Sequence, residues 1–227
     1  MPPQVSANNT AGIVYSLSTA GTETILHNFG SVGDDGVGSN DGLINVNGVL
    51  YGTTRGGGSM NKGTVFSVTT SGIETVLYSF GTAGDGAIPF SGLVEMDGVL
   101  YGTTYAGGVH NGGTIFSITP AGVEKVLHSF ADGQEDPNGN RPTSDLVALN
   151  GLLYGTLEGG GPNGRGGTLV SVTINGKVTL LHAFQHAHAG PDGSIPAGAL
   201  VNYNGTLYGI TSDGGTGGKG AIYSYTP

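Results

Sequence analysis

The sequence repeats one pattern four times, and this repetition constrains the fold more than any other feature. The segment GVLYGTT occurs at residues 48–54 and again, unchanged, at 98–104. It returns as GLLYGTL at 151–157 and as GTLYGIT at 205–211. Around it lie four runs in a fixed order: an apolar run ending in Asn-Gly or Asp-Gly (A), LYGTT (B), a GTVFSV-like run (C) and a VLHSF-like run (D). A glycine-rich linker then leads to the next A run.

The four runs are short and rich in β-branched and aromatic residues, which predicts strands rather than helices. The Asn-Gly and Asp-Gly pairs between A and B favour two-residue type I′ hairpins, because both central residues need positive φ. These pairs are Asn47-Gly48, Asp97-Gly98, Asn150-Gly151 and Asn204-Gly205. We expect the C–D turns at Ser71-Gly72, Ala121-Gly122 and Asn175-Gly176 to be similar. Each unit is therefore predicted to be a four-stranded antiparallel sheet, as in the blades of a β-propeller.

The ends of the chain are out of phase with these units. The N-terminus begins with C and D runs (residues 11–29), whereas residues 199–227 hold A, B and C only. We predict an all-β, four-bladed propeller forming a single domain over residues 1–227, closed by pairing of the N-terminal D strand with the last C strand. A five-bladed ring with two incomplete blades is the alternative. The predicted units are residues 42–91, 92–144, 145–198, and 199–227 completed by 11–41.

Composition excludes several other classes. The 46 glycines fall in irregular clusters rather than at every third position, which excludes collagen. Hydrophobic residues make up 37% of the chain, too many for a disordered protein. The absence of cysteine excludes disulfides and Cys-bound metals. The net charge of −9, with only 7 scattered Lys and Arg, argues against nucleic-acid binding. No apolar run is long enough for a transmembrane helix, so we expect no membrane insertion.

The pattern LYGTTxxGG, followed by GTxFSxT, VLHSF and DGxxPxxGL, resembles the GloVer-type tandem repeats. The resemblance covers essentially the whole chain after residue 10. It implies a propeller-like β fold in an extracytoplasmic bacterial protein, and it implies neither a settled activity nor catalytic residues. The first residues, MPPQVSANNT, show no signal-peptide pattern. The expected extracytoplasmic location therefore depends on the resemblance.

The D–A linkers carry the clearest chemical signal. In an up-and-down blade the tight turns lie on one face, so function is expected on the other face, among the longer B–C and D–A loops. Carboxylates in such loops are typical Ca²⁺ ligands, although Asp-Gly is also common in purely structural turns. The predicted metal ligands, with Ca²⁺ as the possible cofactor, are Asp35, Asp85, Asp136 and Asp192. Further acids in these loops are Asp34, Asp41, Asp132, Glu135 and Asp145.

The residues that follow strand B differ in charge and size between units, as expected around an asymmetric ligand. They are the predicted ligand-binding residues Arg55, Tyr105, Glu158 and Asp213. Tyr105 could stack on a sugar ring, and Arg55 could pair with a carboxylate or lactone oxygen. Neutral variation of a structural surface is the alternative.

The histidines fall into two sets. His27, His128 and His182 occupy one repeat position, where Tyr78 stands in the remaining unit. Since tyrosine is a poor substitute for a zinc ligand, we predict that these residues pack or form hydrogen bonds. His186 and His188, in the insertion QHAHAG, could bind a metal or act as a base, and with Asp192 they are the candidate catalytic residues. A solvated loop is the alternative.

Two functions fit these observations. The first is a propeller that binds a small molecule or carbohydrate-like polymer through its acidic loop face, as a monomer or weak dimer. The second is a metal-dependent hydrolase acting on a lactone or ester, or next on a glycoside. The sequence has no G-x-S-x-G nucleophile motif and no cysteine, which favours binding.

Overall fold

A computed structural model describes residues 11–31, 33–39, 41–132, 136–185 and 192–227, and all regular elements in them are strands. The strands are β1 (Ile13–Leu17), β2 (Glu23–Asn28), β3 (Gly36–Val37), β4 (Ile44–Val46), β5 (Val49–Thr54), β6 (Gly56–Gly57), β7 (Thr64–Thr69), β8 (Glu74–Ser79), β9 (Gly86–Ala87), β10 (Val94–Met96), β11 (Val99–Thr104), β12 (Ala106–Gly107), β13 (Asn111–Ile118), β14 (Glu124–Ala131), β15 (Asn140–Pro142), β16 (Val147–Leu149), β17 (Leu152–Gly159), β18 (Thr168–Val172), β19 (Val178–Ala183), β20 (Gly193–Tyr203), β21 (Thr206–Gly214) and β22 (Ala221–Tyr225). The described part of the chain contains no helix that is long and apolar enough to cross a membrane.

Three complete antiparallel sheets form the middle of the chain, and their strand order A-B-C-D is the predicted one. The first is β4-β5-β7-β8 and the second is β10-β11-β13-β14. The third contains β16-β17-β18-β19, with β15 also paired to β17. We call these sheets the first, second and third units. The prediction of an all-β repeat of antiparallel four-stranded meanders is confirmed.

The A–B turns have the predicted type I′ conformation. Asn47 and Gly48 have φ values of 53° and 86°, and the register Val46↔Val49 leaves only these two residues in the turn. The prediction that the C–D turns are similar is wrong. Residues 70–73 connect β7 to β8, and within this longer turn only Gly72 takes a positive φ, of 88°.

Short ladders join each linker to the B–C loop of the unit that follows. β3 pairs with β6, β9 with β12, and β15 with the end of β17. These contacts explain the Gly-Gly pairs of the B–C loops. Gly57 has a φ of 77°, and a Cβ atom there would collide with the carbonyl oxygen of Asp35. The linkers are therefore held against strand B rather than hanging free.

The core lies between successive sheets. Phe80 at the end of the first unit packs edge-on against Phe116 of the second, with ring centroids 5.1 Å apart. The glycine of strand B makes room for the Phe116 ring within its own sheet, where Gly102 and Phe116 are register partners. A Cβ atom on Gly102 would lie 2.6 Å from Cζ of Phe116 and 2.9 Å from Cδ2 of Leu93. Successive A strands (β4, β10, β16 and β20) are also adjacent to one another.

The two ends of the chain form smaller sheets. β1 and β2 pair as a hairpin, which packs on the first unit through Phe29 and Phe66 (centroids 5.0 Å apart). β20, β21 and β22 form a three-stranded sheet that packs on the third unit. Among the described residues no pairing joins β2 to β22. The predicted closure and the number of blades therefore remain predictions.

Candidate functional site

A cavity of about 450 Å³ lies where the A strands of successive units begin. Its lining comes from four consecutive units, at nearly the same repeat position in each. The lining residues are Asp41, Phe90, Thr143, Asp145, Gly198 and Ala199. All of them lie at the ends of the D–A linkers, on the side of the molecule where function was expected.

Buried hydroxyl groups fix the start of each A strand against strand B. The Thr53 hydroxyl of the first unit donates to the Ser91 carbonyl of the second, at 2.8 Å. Within the second unit, Ser91 Oγ and Thr103 Oγ1 are hydrogen-bonded at 2.7 Å. In the third unit the amide of Thr156 donates to Ser144 Oγ at 2.9 Å. The threonines of the repeated LYGTT run thus hold the cavity lining in place.

Two carboxyl groups meet at this cavity. The Gly92 amide donates to Asp41 Oδ2 at 2.8 Å and to Asp145 Oδ1 at 2.7 Å. The two aspartates come from the first and third units and converge on the second. Burial, then hydrogen bonding to Asp41 and its negative charge, raises the pKa of Asp145 to about 6. Asp145 is therefore a hydrogen-bond donor in mildly acidic solution and an acceptor above neutral pH.

An aromatic ring and an unpaired hydroxyl complete the cavity. Phe90 is 43% exposed, and its ring centroid lies 6.1 Å from that of Tyr105. The Arg141 guanidinium lies 5.8 Å from the Tyr105 centroid and forms a 3.2 Å ion pair with Asp132. Thr143 Oγ1 is buried and has no hydrogen-bond partner among the described residues. The site thus combines an apolar wall and an acidic pair, with a buried hydroxyl behind them.

The four aspartates predicted as metal ligands make hydrogen bonds within their own loops. Asp85 is typical: its Oδ2 accepts from the Tyr78 hydroxyl and the Gly81 amide, both at 3.0 Å, and its Oδ1 accepts from Gly86. Asp136 accepts from the amides of Ala131 and Asn138 in the same way. Each of these side chains therefore ties the end of strand D to the linker that follows.

In two other units a histidine contacts the linker aspartate, as Tyr78 contacts Asp85. His27 Nε2 lies 3.1 Å from Asp35 Oδ2, and His182 Nε2 lies 3.0 Å from Asp192 Oδ2. Histidine and tyrosine can both donate to the aspartate. His128, at the same repeat position, does not: its Nε2 is buried without a hydrogen-bond partner among the described residues, and its ring packs on Phe130 with centroids 4.6 Å apart. The structure does not bring the four aspartates together around one cation among its described residues. Metal binding by them stays a prediction.

One group of three possible metal ligands does exist in the described part of the chain. Ligand atoms of His27, Asp35 and Glu74 all lie within 4.8 Å of one another. The next interface repeats this arrangement with Tyr78, Asp85 and Glu124, a set without histidine. The group is thus a recurring contact between units, in which a glutamate at the start of strand D faces the aspartate of the preceding linker.

The remaining predicted site residues are dispersed. His186 and His188 lie outside the described residues, and Asp192 is held by His182 and by the Gly193 amide at 3.0 Å. Tyr105 adjoins the cavity through Phe90.

The other three predicted ligand-binding residues are not among the residues that line the cavity. The Arg55 amide donates to Gly38, Asp213 Oδ1 accepts from Gly214, and Glu158 lies in β17.

The sequence patterns did not identify Phe90 and Thr143 as site residues. Asp41 and Asp145 were identified only as further acids in the D–A linkers. Phe90 carried a usable signal, because the equivalent positions hold the smaller residues Asn40, Thr143 and Ala197. Asp145 carried a similar signal, since it stands where two other units have glycine.

Comparisons with known proteins give a family and a fold. A family model described as the Gloeobacter/Verrucomicrobia repeat matches residues 4–223. No curated protein matches the chain. The phage phi92 endosialidase is similar in structure, with a TM-score of 0.54 and 13% identity over 90% of this chain and 38% of that chain.

Two further solved structures are similar. A putative gluconolactonase has a TM-score of 0.52 and 16% identity over 95% of this chain and 71% of that chain. BamB from Moraxella catarrhalis has a TM-score of 0.44 and 12% identity over 85% of this chain, which spans 43% of the BamB chain. At their identities, the likeness to the endosialidase and to the gluconolactonase shows the fold alone, which is of the β-propeller type.

Proposed function

The chain belongs to the Gloeobacter/Verrucomicrobia repeat family, and we propose that the cavity at the start of its A strands binds a carbohydrate. One observation carries the proposal: the same cavity holds the half-exposed ring of Phe90 and the paired carboxyl groups of Asp41 and Asp145. An aromatic ring provides a flat apolar surface for the face of a sugar ring. The carboxyl groups provide hydrogen-bond partners for hydroxyl groups.

The size and charge of the cavity narrow the ligand class. Small-molecule sites have volumes of roughly 300–1,000 Å³, so a cavity of about 450 Å³ suits one or two sugar rings or a short stretch of a polymer. Two carboxyl groups in the site disfavour acidic sugars through like-charge repulsion. We therefore propose a neutral sugar rather than a sialic or uronic acid. We also propose, from the family resemblance, that binding takes place outside the cytoplasm.

Hydrolysis of a lactone or ester is the second candidate. It is favoured by the pKa of about 6 for Asp145, which suits proton transfer near neutral pH. A two-carboxylate glycosidase fits less well, since its carboxyl groups stand about 5 to 9.5 Å apart. Here one oxygen of each group lies within 2.8 Å of the Gly92 nitrogen. If Ca²⁺ takes part in this reaction, Asp41 and Asp145 are the proposed ligands, because their carboxyl groups line the cavity.

Isothermal titration calorimetry with xylo- and cello-oligosaccharides tests the binding proposal, with sialyllactose as the acidic comparison. Phe90→Ala should weaken binding roughly two- to tenfold, given the roughly 0.5–1.5 kcal/mol of an aromatic contact. Asp145→Asn should weaken it above pH 7. Asp97→Asn is the matched control, because it removes the same charge from a turn where other units already have asparagine.

If the affinity for the neutral oligosaccharides is unchanged in both Phe90→Ala and Asp145→Asn, the proposed binding site is wrong. Tighter binding of sialyllactose than of the neutral oligosaccharides would also contradict it. A parallel assay with gluconolactone and aryl esters, with Ca²⁺ or with EDTA, separates the two candidate functions. If the wild type turns over one of these substrates and Asp145→Asn does not, the cavity is the active site of a hydrolase rather than a binding site. Turnover that EDTA abolishes would show that the hydrolysis requires a metal ion.

A further inference from the structure

Each internal sheet is covered on both faces. We call the face turned to the next unit the leading face, and the face turned to the preceding unit the trailing face. Between the first and second units, Tyr51 and Val65 of the leading face cluster with Phe116 and Ile118 of the trailing face. Their exposed fractions are between 0 and 7%. Between the second and third units the equivalent residues Tyr101, Ile115, Val170 and Val172 are similarly buried. Against the third unit, Tyr223 and Tyr225 of the C-terminal sheet are partly buried.

The leading face of the C-terminal sheet breaks this rule. Tyr208 stands at the position of Tyr51 and is 40% exposed, and Ile222 stands at the position of Val65 and is 81% exposed. Ile210, which replaces a buried threonine of the other units, is 52% exposed. β22 pairs only with β21 in the described part of the chain. An exposed apolar sheet face beside an unpaired strand edge is typical of a surface that binds another protein surface.

The N-terminal hairpin is incomplete in the complementary way. Its own leading face is covered, because Val14 and Phe29 pack on the first unit. Its trailing face is open: Tyr15 and Leu17, at the positions of the buried Phe116 and Ile118, are 55% and 64% exposed. One end of the chain thus presents a bare leading face and the other a bare trailing face.

We propose that these two faces bind each other between copies of the chain, head to tail. The contact would place Tyr15 and Leu17 of one copy against Tyr208 and Ile222 of another. It would repeat the side-chain cluster found between the units of one chain. A second copy fits because the two faces are the two halves of the cluster that forms between internal units, and both are exposed among the described residues. Such a heterologous contact builds a ring or a filament, according to its rotation.

Two variants with one blocked face each provide the test. Leu17→Asp removes the trailing face and Ile222→Asp removes the leading face, while Ile73→Asp changes an equally exposed residue in a C–D turn. Light scattering after size-exclusion chromatography should show concentration-dependent association of the wild type and of the Ile73→Asp control. Each blocked variant alone should be monomeric. An equimolar mixture of the two should form a 1:1 dimer and nothing larger.

The other outcomes overturn the proposal. A wild type that is monomeric at every concentration would mean that the ends close on each other or remain free. Self-association of Leu17→Asp would indicate pairing of like faces, and a mixture that stays monomeric would exclude the head-to-tail contact. Circular dichroism checks that each variant is folded. Leu17→Ser and Ile222→Thr replace any aspartate variant that is not.

Discussion

Replacement of Glu124 by glutamine should make the protein more stable in alkaline solution. The Glu124 carboxyl, at the start of β14, faces Tyr78 of the preceding unit and Asp85 of the linker that follows it, and its Oε1 atom is buried without a hydrogen-bond partner among the described residues. Burial, then the negative charge of Asp85, raises the pKa of Glu124 from 4.5 to about 7, although the hydrogen bond with Tyr78 acts in the opposite direction.

The sign of the effect follows from proton binding. Between pH 4.5 and about 7 the folded protein holds a proton on Glu124 that the unfolded chain has released. Stability should therefore fall as the pH rises through this interval, and level off above it. A pKa difference of this size is equivalent to roughly 3 kcal/mol. Since Glu124 is partly accessible to solvent, screening reduces the expected effect to about 1–2 kcal/mol.

Thermal unfolding followed by circular dichroism between pH 4 and 9 measures this effect. The difference in Tm between Glu124→Gln and the wild type should be near zero at pH 4 and reach about 2–8 °C at pH 8. Glu23→Gln is the matched control, because Glu23 holds the same repeat position but is exposed. The same Tm difference at both pH values, or a Glu124→Gln variant less stable than the wild type at pH 8, would refute the reasoning.

Two further predictions concern the repeat itself. Gly102→Ala should lower the free energy of unfolding by about 1–3 kcal/mol, because its Cβ atom would lie 2.6 Å from Cζ of Phe116; Gly42→Ala, with no atom within 4 Å, should be nearly neutral in the same urea titration. Asp85→Ala should cost at least about 1–3 kcal/mol by leaving buried donors unpaired, whereas the exposed Asp34→Ala should not. If Ca²⁺ binds at Asp41 and Asp145, it should raise the Tm of the wild type and of Asp85→Ala equally; a Ca²⁺ effect lost only in Asp85→Ala would show instead that Asp85 is a metal ligand.

The strands of the repeat could be predicted because every signal for them is local. Alternating β-branched residues and the turn pair Asn47-Gly48 define a hairpin without reference to any distant residue. The short ladders between linkers and B–C loops gave no such signal. The pairing of Gly36–Val37 with Gly56–Gly57 joins backbones that carry almost no side chains. A pattern of polar and apolar side chains therefore cannot predict this pairing, although the Gly-Gly pairs themselves are visible in the sequence.

Composition alone cannot separate two roles of the loop aspartates, namely binding a metal ion and forming hydrogen bonds within a turn. An aspartate in a glycine-rich linker is compatible with a cation and with a hydrogen-bonded turn. The hydrogen-bonded role depends on a residue of strand D, where Tyr78 or His27 donates to the aspartate of the same linker. Both donors were identified as packing or hydrogen-bonding residues in the sequence, but their partner depends on how the linker folds back. That path is set by the ladder with the next unit.

The Asp41–Asp145 pair lay beyond repeat-based reasoning for a different reason. Residues at one repeat position are spread among the units and occupy similar surroundings, so the repeat identifies what the units share. A ligand that is not itself repeated needs the opposite, namely residues that differ between units and converge. Asp41 and Asp145 belong to different repeat positions and meet only because the first and third units both reach Gly92 of the second. In a repeat protein of this kind, departures from the pattern near the start of strand A, such as Phe90 and Asp145, are therefore better guides to the site than residues that recur.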